Sequence, residues 1–111
     1  MADIKKLENI DELNQFLNSG GDKVSILKIG ADFCMPCRAL ETTIKQLSQS
    51  DVEGILLAEI DADDEWFEDK AAEMKVRSIP VLIAYKNGKE MDRVQGNMPK
   101  DKIIEFFDKN R

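Results

Sequence analysis

The sequence contains no histidine and only two cysteines among its 111 residues. A zinc site needs four protein ligands, or three and a water molecule, so one chain offers at most half of such a site, and only a site shared between two chains stays open. Acidic residues outnumber lysine and arginine by 22 to 16, which argues against binding to nucleic-acid phosphates. We therefore expect neither a metal ion nor another cofactor, and no nucleic-acid partner.

Long apolar runs are also missing. No segment approaches the length that a membrane-spanning helix requires, and residues 1–6 lack the apolar core of a signal peptide. These features favour a protein of the cytoplasm that does not bind membranes. The length of 111 residues and the 42% share of hydrophobic residues fit one domain with one core, residues 1–111.

Both cysteines lie in one short motif, Phe33-Cys34-Met35-Pro36-Cys37. A β-branched and apolar run at residues 24–29 precedes the motif and predicts a strand. Apolar residues then recur every three or four positions and predict a helix to about residue 50: Cys37, Leu40, Ile44 and Leu47. Two sulfurs three positions apart at a helix start can form and break a disulfide with little backbone movement.

The pair is best interpreted as a redox-active dithiol, with an inert pair as the alternative. A disulfide that closes so short a loop adds little stability through closure entropy. The cytoplasm keeps dithiols reduced, and a lone Cys-x-x-Cys pair there usually serves catalysis. Cys34 lies near the free amides and the positive end of the helix dipole, which favours its thiolate, so we predict that Cys34 is the nucleophile. Cys37 shares the buried stripe of the helix and is predicted to act second, by attacking the mixed disulfide on Cys34.

The remainder of the chain alternates between strand and helix patterns. Further strands are predicted at residues 4–7, 55–60, 81–85 and 89–95. Asn9 and Glu12 form a capping-box pattern that predicts the start of a first helix. The pattern of residues 65–75 predicts a further helix, with Trp66 in the core. Pro99 can open the last helix. Asn87-Gly88 predicts a type I′ hairpin turn. The expected order is β-α-β-α-β-α-β-β-α.

Four features occur together in this order: the Cys34-Met35-Pro36-Cys37 motif after a strand, residues 76–80 before a strand, the Lys86-Asn87-Gly88-Lys89 hairpin, and Gly96 before the last helix. With them the chain resembles the thioredoxin family over nearly its whole length. The resemblance implies an α/β fold with a central mixed β-sheet flanked by helices. It also implies a monomer that reduces disulfides in client proteins and is re-reduced by thioredoxin reductase or an equivalent donor, in electron transport and cell redox homeostasis.

The resemblance also implies a client-binding surface around Cys34. Pro80 is expected to follow a cis peptide bond and to face the cysteines, so that Ile79 offers backbone groups to an extended client segment. The expected surface consists of Phe33, Met35, Pro36, Ile79, Pro80, Gly96 and Met98. A different kind of function remains open: a binding or adaptor protein that recruits a partner through this surface without turnover.

The sequence departs from the family pattern beside the cysteines. Phe33 and Met35 stand where the family usually has tryptophan and glycine, and Gly30 replaces an aromatic residue. Lys28 takes the place of the family's buried aspartate, and Glu59 takes a position often held by lysine. Two interpretations are open: both charges are exposed, or they pair beneath the cysteine helix, with Glu59 as the candidate base for Cys37 and Lys28 as the group that holds it.

Overall fold

The structure is a computed structural model that describes residues 3–111, in which five strands form one mixed sheet. The strands are β1 (Lys5–Lys6), β2 (Val24–Gly30), β3 (Ile55–Asp61), β4 (Val81–Lys86) and β5 (Lys89–Gln95). Their spatial order is β1-β3-β2-β4-β5; the first three are parallel, and β4 runs antiparallel to both β2 and β5. The predicted central mixed sheet is confirmed. Strand β2 lies at its centre and leads directly into the cysteine motif.

Within residues 3–111, four helices complete the fold, in the predicted order. They are α1 (Ile10–Asn18), α2 (Met35–Lys45), α3 (Glu68–Glu73) and α4 (Lys100–Asn110), and a short 3-10 helix at Glu65–Phe67 precedes α3. Across residues 3–111, no helix is both long and apolar enough to cross a membrane.

Two local predictions are confirmed in atomic detail. The N–H of Glu12 donates to Asn9 Oδ1 at 2.9 Å, and Glu12 Oε1 accepts the N–H of Glu8 at 2.9 Å, so the capping residues close the first turn of α1 from both sides. Asn87 and Gly88 both have positive φ, 53° and 79°, as a type I′ turn requires. The turn therefore sets β5 antiparallel to β4.

Several element boundaries differ from the prediction. Helix α2 ends at Lys45 and not near residue 50, because Ser48 and Asp51 close a turn of their own. The N–H of Ser48 donates to Asp51 Oδ2 at 2.9 Å, and side-chain bonds of this kind compete with helix continuation. Helix α3 ends at Glu73, since Lys75 adopts a positive φ of 59°. Strand β1 is limited to Lys5–Lys6, and Pro99 caps α4 instead of occupying its first turn.

Apolar side chains form two core clusters, and alternate residues of β2, β3 and β4 contribute to one or the other. Val24 and Ile26 of β2 belong to the first cluster, which also contains Leu40 and Ile44 of α2 and the buried residues of α4. Leu27 and Ile29 belong to the second, with Phe67 and the first helix. Trp66 packs against the second cluster as predicted, edge-on to Phe67 at 5.6 Å. Because side chains alternate along a strand, Lys28 points to the α2 side of the sheet.

Candidate active site

The two cysteines occupy different positions at the start of α2. Cys34 is the N-cap residue, with extended backbone, and its Sγ accepts the N–H of Cys37 at 3.3 Å. Cys34 is partly exposed, whereas Cys37 is only 2% exposed. The two residues form a disulfide, with their Cα atoms 5.2 Å apart. The local geometry therefore agrees with an accessible first sulfur and a shielded second one.

The residues between the cysteines suit the first turn of a helix and leave an apolar surface. Pro36 has a fixed φ and no N–H, so it fits a position whose amide has no partner within the helix. Phe33 and Met35 are 76% and 72% exposed, although both are large and apolar. Both side chains are therefore open to solvent beside Cys34.

Pro80 and Gly96 lie at the end of the sheet from which β2 leads into the motif. The Ile79-Pro80 peptide bond is cis, as the resemblance implies. Pro80 precedes Val81, which pairs with Ile29 near the end of β2, and the carbonyl of Pro80 accepts the N–H of Gly96 at 2.8 Å. Ile79 is partly exposed and packs against the second core cluster, whereas Met98 packs against the first.

Lys28 and Glu59 form an ion pair, so the interpretation with both charges exposed is wrong for Lys28. The two residues are register partners on adjacent strands, and Lys28 Nζ lies 3.3 Å from Glu59 Oε2. Lys28 is 6% exposed, and Glu59 keeps a side-chain exposure of 23%. A buried ammonium without a partner would be costly, so the carboxylate accounts for its burial.

A third charge, Glu41, joins this pair and was not identified from the sequence. Its Oε2 lies 3.8 Å from Lys28 Nζ, and its Oε1 lies 2.9 Å from Lys45 Nζ. The hydrogen bond from Lys45 holds the pKa of Glu41 below its ordinary value; partial burial opposes this shift, and the Lys28 charge supports it. The one available signal was its spacing, since Glu41 follows Cys37 by one helical turn.

Cys37 and these charges line one polar cavity of about 80 Å³ between α2 and the ends of β2 and β3. The charged residues around the cavity are Lys6, Lys28, Asp32, Glu41, Glu59 and Asp61. In the part of the chain that the structure describes, no three or more cysteine, aspartate or glutamate side chains are arranged to hold a metal ion.

A thioredoxin family model matches residues 5–109. The chain belongs to the thioredoxin family. A thioredoxin of Chlamydia caviae is 30% identical over 105 residues, which are 95% of this chain and 97% of the relative. A thioredoxin of Coprinus comatus is 31% identical over 97 residues, 86% of this chain and 88% of the relative.

Solved structures support the same fold. The thioredoxin of Fasciola hepatica superposes with a TM-score of 0.85 at 24% identity, and the match covers 97% of this chain and all of that one. Thioredoxins are protein-disulfide oxidoreductases. Family membership and the disulfide-bonded cysteine pair together make this chain a thiol-disulfide oxidoreductase.

Proposed function

We propose that this protein reduces disulfides in client proteins, with Cys34 as the attacking thiol and Cys37 as the resolving thiol. The observation that carries the proposal is the difference between the two sulfurs. Cys34 caps α2, where the amide of Cys37 and the helix dipole favour a thiolate, and it is partly exposed. Cys37 is almost completely buried behind it, so a client disulfide meets Cys34 first.

The exchange takes place in two steps. The Cys34 thiolate attacks one client sulfur, an S–S bond forms between them, and the second client sulfur leaves as a thiolate that takes up a proton. Cys37 then loses its proton and attacks Cys34 Sγ, which releases the first client sulfur in the same way. The client gains two electrons and two protons, and the protein is left with the Cys34–Cys37 disulfide seen in the structure.

The client docks, in this proposal, on the apolar surface beside Cys34. Phe33 and Met35 provide the exposed side chains, and Pro36 continues the surface into α2. Ile79, Pro80 and Gly96 border the same end of the sheet, where an extended client segment can bond to the backbone of Ile79 as an added strand.

Replacing Phe33 and Met35 together by serine is expected to raise the KM for a protein client about tenfold. Contact with the client covers part of each side chain, and the loss of about 1.4 kcal/mol of apolar burial corresponds to a factor of ten. A small soluble disulfide, which does not cover this surface, should react at the parental rate. Met91→Ser is the matched control, because Met91 is also exposed, at 53%, but lies on β5. An equal loss with the small disulfide would contradict the docking role.

The exposed apolar pair also favours a second candidate function, that of an adaptor whose cysteines are incidental. The Cys34→Ser, Cys37→Ser double variant separates the two. A reductase loses all exchange activity and fails to complement a strain that lacks the protein, because no sulfur remains to accept electrons. Full complementation by the double variant, at parental protein levels, would support the adaptor and contradict the reductase.

We further propose that the protein works as a monomer in the cytoplasm, in electron transport and cell redox homeostasis. Thioredoxin reductase or an equivalent donor would return the Cys34–Cys37 disulfide to the dithiol. A lone Cys-x-x-Cys pair supports this setting, because the cytoplasm keeps dithiols reduced. The reduction potential, measured against glutathione, tests the direction: a strongly reducing value agrees with a reductase, and a high value with an oxidase or isomerase.

A further inference from the structure

The Lys28 ammonium and the resolving cysteine approach the same side of Gly30. A Cβ atom built on Gly30 would lie 3.2 Å from Cys37 Sγ and 3.8 Å from Lys28 Nζ, so both atoms border the same point on the backbone of β2. Cys37 and Lys28 supply the three heavy atoms nearest to this point, and none of the three is a carboxylate oxygen. Gly30 has no side chain to separate the sulfur from the ammonium.

Two carboxylates fix the position of this ammonium. Glu59 approaches Lys28 Nζ from β3 at 3.3 Å, and Glu41 approaches it from α2 at 3.8 Å. Lys28 is 6% exposed, whereas the side chains of Glu41 and Glu59 are 31% and 23% exposed and connect the cavity to solvent. The other charges around the cavity are Lys6 of β1, Asp32 before the motif and Asp61 at the end of β3.

We propose that the Lys28 ammonium stabilises the Cys37 thiolate during resolution of the mixed disulfide, and that Glu41 and Glu59 hold the ammonium beneath α2. This inference rests on the proposed function and adds to it. It reverses the roles expected from the sequence, where Glu59 was the candidate base and Lys28 its holder. Lys28 is a positioning residue here: its field favours one charge state of the thiol, and it takes no proton itself.

Resolution of the mixed disulfide begins when Cys37 loses its proton. The Cys37 thiol gives its proton to solvent that enters the cavity beside Glu41 and Glu59, and the resulting thiolate attacks Cys34 Sγ. The bond between Cys34 and the client sulfur breaks, and the client thiolate leaves with its electron pair and takes a proton from solvent. The charge of Lys28 stays the same throughout, so the pH midpoint of resolution reports the ionisation of Cys37.

The test is the rate of resolution as a function of pH, measured by rapid mixing of the reduced protein with a disulfide-bonded client, acid quenching and quantification of the mixed disulfide. In Lys28→Met the midpoint of the curve of resolution rate against pH should move to a higher pH by about one unit. Below the midpoint resolution should be about three- to fourfold slower, because the tenfold loss of thiolate is partly offset by its higher nucleophilicity. Above the midpoint the same variant should be about threefold faster, so the two profiles cross.

Three further variants keep the result interpretable. Lys28→Arg retains the cation and should retain the parental midpoint. The exchange variant Lys28→Glu, Glu59→Lys keeps a pair of opposite charges but places a carboxylate beneath Cys37, so its midpoint should rise further than in Lys28→Met. Glu59→Gln leaves Glu41 to hold Lys28 and should change the rate less than Lys28→Met does. Urea unfolding of each variant confirms that it is folded under assay conditions.

Two results would overturn the proposal. One is an unchanged midpoint in both Lys28→Met and the exchange variant. The other is a uniform slowing across the pH range in Glu59→Gln that exceeds the effect of Lys28→Met, because it would assign the proton transfer to Glu59. Failure of the proposed function is recognised separately: the parent protein itself would then form no mixed disulfide that Cys37 resolves.

Discussion

Cys34→Ser is expected to abolish disulfide reduction, whereas Cys37→Ser is expected to stall as a stable mixed disulfide with its client. Without Cys34 the partly exposed, helix-capping sulfur is gone, and Cys37, 2% exposed, cannot reach a client disulfide. Without Cys37 the first exchange still occurs, but the sulfur that releases the client is absent. Turnover should fall to the background rate of uncatalysed exchange in both variants, for different reasons.

The two variants are distinguished by mass spectrometry of the intact protein after reaction with a client disulfide and alkylation of free thiols. Cys37→Ser should gain the mass of one client chain, and a reductant should remove it. Cys34→Ser should carry no client chain, and neither should the double variant that serves as the blank. A client chain attached to Cys37 in the Cys34→Ser variant would show that the roles of the two sulfurs are assigned the wrong way round.

Local signals in the sequence were sufficient for most of the fold. Asn9 with Glu12, and Asn87 with Gly88, define a helix start and a turn through bonds and dihedral angles that involve only neighbouring residues. The spacing of Cys37, Leu40 and Ile44 predicted which side of α2 is buried, and all three are at most 2% exposed. The spacing of the cysteines likewise placed both sulfurs at one helix start.

The end of α2 was not predictable from the same periodicity. Leu47 continues the apolar pattern and is fully buried, yet it lies beyond the last helical residue, Lys45. The turn closed by Ser48 and Asp51 brings Leu47 into the core without a helix. Apolar spacing reports which side chains are buried, but the competition between local side-chain bonds and the helix decides where the helix ends.

The arrangement of charges under Cys37 needed the three-dimensional structure. The pair of Lys28 and Glu59 depends on the register between β2 and β3, which no local signal sets. Glu41 resembles any exposed glutamate of an i,i+4 pair with lysine until α2 is placed over Lys28. The approach of Lys28 and Cys37 to the same side of Gly30 is a property of the packed helix and strand, so the sequence could not show that the ammonium lies near the sulfur.

Leu40→Ala is expected to destabilise the protein by about 2–5 kcal/mol, a large share of the roughly 5–15 kcal/mol typical of a folded domain. Leu40 is fully buried in the first core cluster, with Ile44 of the same helix and Phe107 of α4. Truncation removes apolar contacts and leaves a cavity that the strands of the central sheet cannot close. Equilibrium unfolding in urea, followed by circular dichroism with the disulfide intact, gives the difference in free energy.

Two controls on the same helix isolate the packing term. Leu40→Met keeps most of the side-chain volume and should lower the free energy of unfolding by less than about 1.5 kcal/mol. Thr42 lies on the exposed side of α2, so the free energy of unfolding of Thr42→Ala should stay within about 0.5 kcal/mol of the parent value. If Leu40→Ala cost no more than Leu40→Met, burial of this side chain would not hold α2 on the sheet. Because α2 carries Cys34 as its cap, together with Cys37 and Glu41, the positions of both sulfurs would then have to depend on contacts at the helix start alone.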